Sequence, residues 1–147
     1  MSLVWVLGFT YTLTGLLFIQ SYGSTDNPRL NAWFKSCQEK TAASDKDYEM
    51  IKMRKIPSST EGVCMVECLF NKLHIIDNGK FNKRGFVITF SPVVKGDLKK
   101  LSTLKEIARI CDEQISTATV KDDCDVTKMV LDCFGRNMDK LDLSKKS

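Results

Sequence analysis

The stretch Cys64-Met-Val-Glu-Cys68 sets two cysteines four positions apart, shortly after a helix-start signal at Ser59-Thr60-Glu61. On a helix, residues at i and i+4 share one face, and their side chains point outward side by side. That geometry makes a disulfide between Cys64 and Cys68 awkward. Each of the two cysteines is therefore expected to bridge to a different neighbouring segment.

The chain of 147 residues contains six cysteines, and these are Cys37, Cys64, Cys68, Cys111, Cys124 and Cys133. The gaps between them are 26, 3, 42, 12 and 8 residues. An even number of cysteines behind a secretory signal predicts three disulfides in an oxidising compartment. Six cysteines allow 15 pairings, and leaving out a Cys64–Cys68 bond reduces these to 12. Zinc and redox sites are not favoured, because no Cys-x-x-Cys occurs and His74 is the single histidine.

The first segment, Met1–Gly23, contains no charged residue, and Leu3–Ile19 is nearly all apolar. The polar break Gln20-Ser21-Tyr22-Gly23 follows, with small residues at its second and fourth positions. This order is typical of a secretory signal peptide and predicts cleavage after Gly23. The alternative is a retained membrane anchor, although about 17 apolar residues are at the lower limit for spanning a bilayer. We predict a signal peptide at 1–23 and one extracellular domain at 24–147.

The charge pattern excludes several classes of protein. All 22 basic and 18 acidic residues follow Gly23, the net charge is +4, and no long basic block occurs. A nucleic-acid partner therefore has little support. An enzyme is the main rival class, but the chain has no Gly-x-Ser-x-Gly, His-Glu-x-x-His or Cys–His motif. We expect no catalytic residue, no metal site and no cofactor.

The apolar periodicity predicts an all-α fold of five to seven short helices. The helix-start signals are Asn27-Pro28, Ser44-x-x-Asp47, Ser59-Thr60-Glu61, Gly96-Asp97 and Asp122-Asp123. Pro57 is expected to end the second helix, and Gly135 to cap the last one. Asp77-Asn78-Gly79 indicates a turn. Asn78-Gly79 is also compatible with a hairpin, although its flanks do not alternate like strands. Residues 81–90 are expected to form a short buried helix or an extended piece.

The cysteine pattern resembles that of the insect odorant-binding proteins, the pheromone and general odorant-binding family. Its three-residue second gap and eight-residue last gap carry the resemblance, which covers essentially all of Ser24–Ser147. Gly79-Lys80-Phe81-Asn82 looks like the family's turn after the third helix, and Phe134 holds its apolar position after the last cysteine. The resemblance implies helices around an internal apolar cavity. The disulfides it implies are Cys37–Cys68, Cys64–Cys124 and Cys111–Cys133.

The same resemblance implies a secreted carrier that reversibly binds odorants, pheromones or lipid-like molecules and transports them through aqueous extracellular fluid. Large apolar residues are abundant enough to line a cavity, although each could equally be ordinary core. The candidate ligand-binding residues are Trp33, Phe34, Phe70, Ile75, Phe81, Phe86, Leu101, Leu104, Ile107, Val130 and Phe134. Hydroxyl candidates for orienting a ligand are Thr89, Thr103, Thr127, Ser91 and Tyr48.

An alternative on the same scaffold is a secreted interaction or lipid-scavenging protein of saliva, venom or reproductive fluid. The expected partner is a small hydrophobic ligand, and an olfactory receptor is a candidate protein partner. Membrane contact is expected to be at most transient, and the oligomeric state to be a monomer or weak dimer.

His74 is a candidate acid switch, although a solvated histidine near a helix end is the simpler interpretation. The basic cluster Lys80, Lys83 and Arg84 is expected to be solvated rather than to meet a ligand carboxylate or an anionic membrane.

Overall fold

A computed structural model describes residues 27–121 and 124–142. The predicted signal peptide at 1–23 and the start signal Asp122-Asp123 lie outside the described residues. The chain divides into a unit that ends at Asn31 and a unit from Ala32 onward. Of the first unit, residues 27–31 are described, and they open the first helix.

The described residues form six α-helices and one short hairpin. They are α1 Pro28–Thr41, α2 Asp45–Lys52, α3 Thr60–Lys72, β1 Ile76–Asp77, β2 Lys80–Phe81, α4 Lys83–Phe90, α5 Leu98–Ser116 and α6 Asp125–Asn137. A first 3-10 helix, Ser91–Val94, follows α4 directly, and a second, Met138–Leu141, follows α6. The predicted all-α class is confirmed. The two strands pair antiparallel over two residues each. The hairpin that Asn78-Gly79 allowed is therefore present, although its flanks do not alternate like strands.

Four helix starts are capped by the side chains that the sequence indicated. At the start of α1, Asn27 accepts from the Arg29 N–H at 3.1 Å. The Asp47 N–H donates to Ser44 Oγ at 3.1 Å, and the Ser44 N–H donates to an Asp47 carboxylate oxygen at 3.2 Å. Ser59 accepts from the Gly62 N–H at 2.9 Å, and Asp97 accepts two N–H bonds at the start of α5. Each cap satisfies N–H groups that have no partner inside the helix, which fixes where the helix begins.

Two expected helix ends are wrong. The α2 helix ends at Lys52, five positions before Pro57, and Arg54 follows in the left-handed conformation. Gly135 lies inside α6, which continues to Asn137. The Asn137 side chain donates to the Cys133 carbonyl at 2.7 Å and thereby satisfies a carbonyl near the end of that helix.

The ambiguous stretch at 81–90 resolves as the end of β2 followed by α4. Asn82 caps α4 by accepting the Gly85 N–H at 3.1 Å. The cap explains why a segment rich in strand formers is helical, since it starts a helix that buries Phe86 in the core. The strand propensity of residues 86–90 is overridden by the Asn82 cap and by the packing of Phe86 in the core.

The three disulfides link α3 to two other segments and α5 to α6. They join Cys37 to Cys68, Cys64 to Cys124, and Cys111 to Cys133, which confirms the pairing that the resemblance implied. Cys64 bonds to Cys124, which directly precedes α6, and Cys68 bonds to Cys37 of α1, so α3 is held from two directions. In the described part of the chain, no helix combines the length and apolar character needed to cross a membrane.

Candidate functional site

An apolar pocket of about 520 Å³ lies among α2, α3, α4, α6 and the segments that follow them. Its lining residues are Ile51, Arg54, Lys55, Ile56, Pro57, Val66, Phe70, Thr89, Phe90, Val93, Leu131, Phe134, Gly135 and Met138. The lining is dominated by hydrocarbon and aromatic groups, with Thr89 and two cations as its polar members. A pocket of this size and composition is suited to a small apolar molecule.

Aromatic rings form one wall of the pocket. Phe90 and Phe134 both line it, with ring centroids 5.0 Å apart. Phe86 packs behind them, 4.8 Å from Phe90 and 5.0 Å from Phe134, and is 1% exposed. Phe86 and Phe90 lie at i and i+4 on one face of α4, and along that face the first ring is buried in the core and the second lines the pocket.

Two further helices supply matched stripes to the lining. Val66 and Phe70 lie at i and i+4 on α3. Leu131, Gly135 and Met138 lie at i, i+4 and i+7, running from α6 into the second 3-10 helix. Residues at these spacings share one helix face, so each helix presents a continuous apolar strip.

The rim of the pocket is formed by the segment after α2 and by the first 3-10 helix. Ile56 is 55% exposed and Val93 is 42% exposed, so the pocket opens to the surface at this side. The pocket therefore differs from a fully enclosed core void, because a ligand can enter between exposed apolar side chains.

The predicted ligand-binding residues divide into three groups. Phe70 and Phe134 line the pocket, and Phe86 supports it from behind. The main core contains Ile75, Leu104, Ile107 and Val130, with Phe81 and Leu101 packed at its margin. Trp33 and Phe34 pack around a second cluster that contains Cys37 and Met65. The structure therefore brings two of the predicted residues directly to this pocket and places the others in or beside the two cores.

Among the hydroxyl candidates, Thr89 is the one that lines the pocket. Its Oγ1 donates to the Leu73 carbonyl at 3.4 Å, which leaves its oxygen lone pairs for a ligand donor. Thr127 is fully buried and donates to a Glu67 carboxylate oxygen at 3.0 Å, which ties α6 to α3. Thr103 and Ser91 bond to carbonyls of their own turns, and Tyr48 packs edge-on against Phe34.

The candidate switch His74 lies outside the pocket lining. Its side chain is 76% exposed, and its Nδ1 is 3.1 Å from an Asp77 carboxylate oxygen. The pKa of Asp77 lies below its usual value, mainly because the Asn82 side chain donates a hydrogen bond to its carboxylate, and to a smaller extent because of the bond with His74.

In the nearby basic cluster, Lys83 pairs with Asp112 at 3.1 Å. Within the described residues no group of acidic, histidine or cysteine side chains could hold a metal ion.

Sequence reasoning missed most of the lining. The missed apolar residues are Ile51, Ile56, Pro57, Val66, Phe90, Val93, Leu131 and Met138. Helical spacing offered a signal for some of them, because Phe90 follows Phe86 by four, Val66 precedes Phe70 by four, and Met138 follows Phe134 by four. Residues 54–57 lie between helices, where no periodicity indicates which side chain turns inward.

Comparisons with known proteins agree with this fold. General odorant-binding protein 19d of Drosophila melanogaster is 28% identical over 103 residues, covering 69% of this chain and 67% of that protein. The solved odorant-binding protein OBP28a of Drosophila melanogaster is 25% identical, with a TM-score of 0.65, and the match covers 79% of this chain and 94% of that one.

The fold is also that of the fatty acid binding protein OBP56a from the oral disk of the blowfly Phormia regina. That match has a TM-score of 0.57 at 16% identity and covers 80% of this chain and 96% of the other. The model of the PBP/GOBP family matches residues 21–137. Its members are binding proteins rather than enzymes. Since this match spans most of the sequence and the six cysteines pair as the pattern implies, the chain belongs to the PBP/GOBP family.

Proposed function

We propose that this protein is a secreted carrier that reversibly binds small hydrophobic molecules, such as odorants, pheromones or lipid-like compounds, and transports them through aqueous extracellular fluid. The observation that carries the proposal is the pocket of about 520 Å³, walled by Phe90, Phe134 and the apolar strips of α3 and α6. The size falls within the range usual for small-molecule sites.

The energetics of such a pocket suit reversible binding. Transfer of a ligand with about 12 methylene-sized groups from water contributes roughly 10 kcal/mol, at ~0.8 kcal/mol each. Association costs about 4 kcal/mol or more in lost freedom, which leaves about 6 kcal/mol and a dissociation constant of tens of micromolar or weaker. A carrier with that affinity releases its ligand readily.

The secreted location is supported by the three disulfides, because such bonds form and persist in oxidising compartments. The proposal includes removal of residues 1–23 and a mature domain at 24–147, which works as a monomer or weak dimer. An olfactory receptor is its candidate protein partner. The relatives' names give the ligand classes to be tried first, since two are odorant-binding proteins and one is a fatty acid binding protein.

The proposal is tested by displacing the fluorescent probe N-phenyl-1-naphthylamine with medium-chain alcohols, aldehydes and acids. The unmodified protein is expected to bind the probe and release it to at least one of these classes. Gly135→Leu extends the strip of Leu131 and Met138 with four carbons and should weaken probe binding by about tenfold or more.

The matched control is Gly135→Ala, since a Cβ at this position meets no atom within 4 Å and takes little volume from the pocket. This variant should bind the probe normally. Unchanged binding by Gly135→Leu would place the ligand elsewhere in the molecule. Failure of the unmodified protein to bind any apolar compound would contradict the carrier role and favour the interaction protein on the same scaffold.

A further inference from the structure

The charges on the pocket wall are all of one sign. Arg54 and Lys55 line the pocket together with apolar residues and Thr89, and no aspartate or glutamate belongs to the lining. From this asymmetry we propose that the preferred ligand is an anionic amphiphile, whose carboxylate or other acidic head group is bound by Arg54 and Lys55 while its hydrocarbon chain lies against Phe90 and Phe134. The proposal rests on the carrier function and names the ligand class.

Neither cation is engaged by a described carboxylate. The structure records no ion pair or side-chain hydrogen bond from Arg54 or Lys55 to any residue in 27–121 or 124–142. Arg109 shows the contrast, because its guanidinium bonds to Glu106 at 2.6 Å and to Glu113. The two pocket cations therefore keep their donors for a ligand, and a guanidinium matches the two oxygens of a carboxylate.

The backbone fixes where these two side chains begin. The Lys55 N–H donates to the Met50 carbonyl at 2.8 Å, and the Arg54 N–H donates to the Ile51 carbonyl at 2.9 Å. These bonds form the Schellman motif that ends α2, with Arg54 at φ +60°, where glycine is usually found. The motif turns the chain sharply, so that both cations sit beside Ile56 at the pocket rim.

A role in neutralising the helix end does not account for the pair. Cations favour the last turn of a helix because of the helix dipole. Lys52 already occupies that turn of α2, whereas Arg54 and Lys55 lie beyond the helix and line the pocket. Lys52 is exposed and absent from the lining, so it serves as a matched control for the loss of one charge nearby.

The experiment compares three ligands of equal chain length, decanoate, 1-decanol and methyl decanoate, at neutral pH. Each displaces N-phenyl-1-naphthylamine from the unmodified protein, from Arg54→Gln/Lys55→Gln and from Lys52→Gln. The unmodified protein and Lys52→Gln are expected to bind decanoate about tenfold more tightly than the two neutral ligands. In the double variant the three affinities should become equal, because only the charge contact is lost.

The outcomes separate this proposal from the carrier function. Equal affinity for decanoate and decanol in the unmodified protein overturns the anionic preference while the carrier role stands. A loss of the preference in Lys52→Gln equal to that in the double variant overturns the site. If no ligand displaces the probe, both proposals fail together.

A membrane head group is the other source of the same anion. Co-sedimentation with phosphatidylglycerol vesicles, compared with phosphatidylcholine vesicles, separates it from a soluble ligand. If Arg54 and Lys55 are needed for binding to the anionic vesicles, and decanoate and decanol bind equally, the pair recognises a bilayer and the proposal is wrong. Decanoate preference without vesicle binding supports the pocket ligand.

Discussion

Ser44 and Asp47 hold each other at the start of α2. The Ser44 hydroxyl donates to an Asp47 carboxylate oxygen at 2.7 Å, and the Ser44 N–H donates to the same oxygen at 3.2 Å. Asp47 is 6% exposed, and burial alone would raise its pKa. The hydrogen bond from the Ser44 side chain outweighs that effect, so the pKa of Asp47 lies below its ordinary value.

The lowered pKa predicts an acid-dependent contribution to stability. A carboxyl whose folded pKa is depressed stabilises the fold above its unfolded pKa of about 3.9, and loses this as the pH falls through the folded value. We expect Asp47→Asn to lower the free energy of unfolding at pH 7 by about 1 kcal/mol, the usual size of a lost cap. The difference from the unmodified protein should shrink as the pH falls below about 4, measured by urea unfolding.

Asp45→Asn is the control, since Asp45 lies in the same first turn but is exposed. It should change stability much less than Asp47→Asn at pH 7. A difference between Asp47→Asn and the unmodified protein that stays constant from pH 7 to pH 3 would show that packing, and not the carboxylate charge, explains the loss.

Single residues differ in how far the sequence reveals them. The Ser44-x-x-Asp47 box is visible because its spacing is fixed by the geometry of one helix turn. The left-handed conformation of Arg54 and His74, at φ +60° and +56°, is not visible in the sequence. Each of these two residues follows the end of a helix. Sequence reasoning expects glycine at such a position. The chain accepts larger residues there because Lys55 and Ile75, one position later, bond back to the helix at 2.8 and 2.9 Å.

At the scale of elements, α4 packs tightly against the chain that leaves α3. A Cβ built on Gly85 would lie 1.9 Å from the His74 carbonyl oxygen and 2.7 Å from its carbon. Both atoms belong to the backbone, so they cannot move aside as a flexible side chain could. Gly85 is therefore required by close approach of two backbone segments, and this approach seats Phe86 in the core behind the pocket.

We expect Gly85→Ala to destabilise the protein by about 1–3 kcal/mol, because the methyl group forces α4 away from the end of α3. Urea unfolding monitored by circular dichroism measures the change. Gly135→Ala is the matched control, since it adds the same methyl group inside α6 where nothing lies within 4 Å. That variant should be more stable by up to about 1 kcal/mol, from helix propensity. Equal effects of the two substitutions would contradict the close approach.

The helices themselves were more predictable than their ends. Start signals such as Ser59 and Asp97 act locally, and the structure uses both as caps. Gly135 was misleading because the bond that satisfies the Cys133 carbonyl comes from the Asn137 side chain, which lets the helix continue past the glycine. The stretch from Phe86 to Phe90 was undecided, since strand propensity and helix burial compete and the Asn82 cap decides between them.

At the scale of the whole molecule, the cysteine pattern identified the fold, whereas it did not identify the pocket. Disulfide spacing constrains which helices meet, and Cys64 and Cys68 indeed bond to different segments. Which apolar residues line a pocket depends on how completely the helices close over one another. Ile107 and Val130 are as apolar as Val66 and Leu131, yet the first two are core and the second two line the pocket.

The α3 helix connects the disulfide network to the pocket. It supplies Val66 and Phe70 to the lining. Its Cys64 bonds to Cys124 at the start of α6, the helix that supplies Leu131 and Phe134. Its other cysteine, Cys68, binds it to α1, and no residue of α1 belongs to the lining. The two bridges on α3 should therefore differ in their effect on ligand binding.

Removing either bridge as a pair of alanines should lower stability by a similar amount. The loops span 60 residues for Cys64–Cys124 and 31 for Cys37–Cys68, and the chain-entropy model gives about 4 kcal/mol for each. Ligand binding should separate them, since only Cys64→Ala/Cys124→Ala removes the covalent link between α3 and α6 beside the pocket. We expect several-fold weaker probe binding in that variant and near-normal binding in Cys37→Ala/Cys68→Ala, measured well below both unfolding midpoints. Both variants lose about the same stability, but Cys37→Ala/Cys68→Ala keeps the disulfide between α3 and α6. Equal weakening of probe binding in the two variants would therefore mean that the bridges affect binding only through global stability.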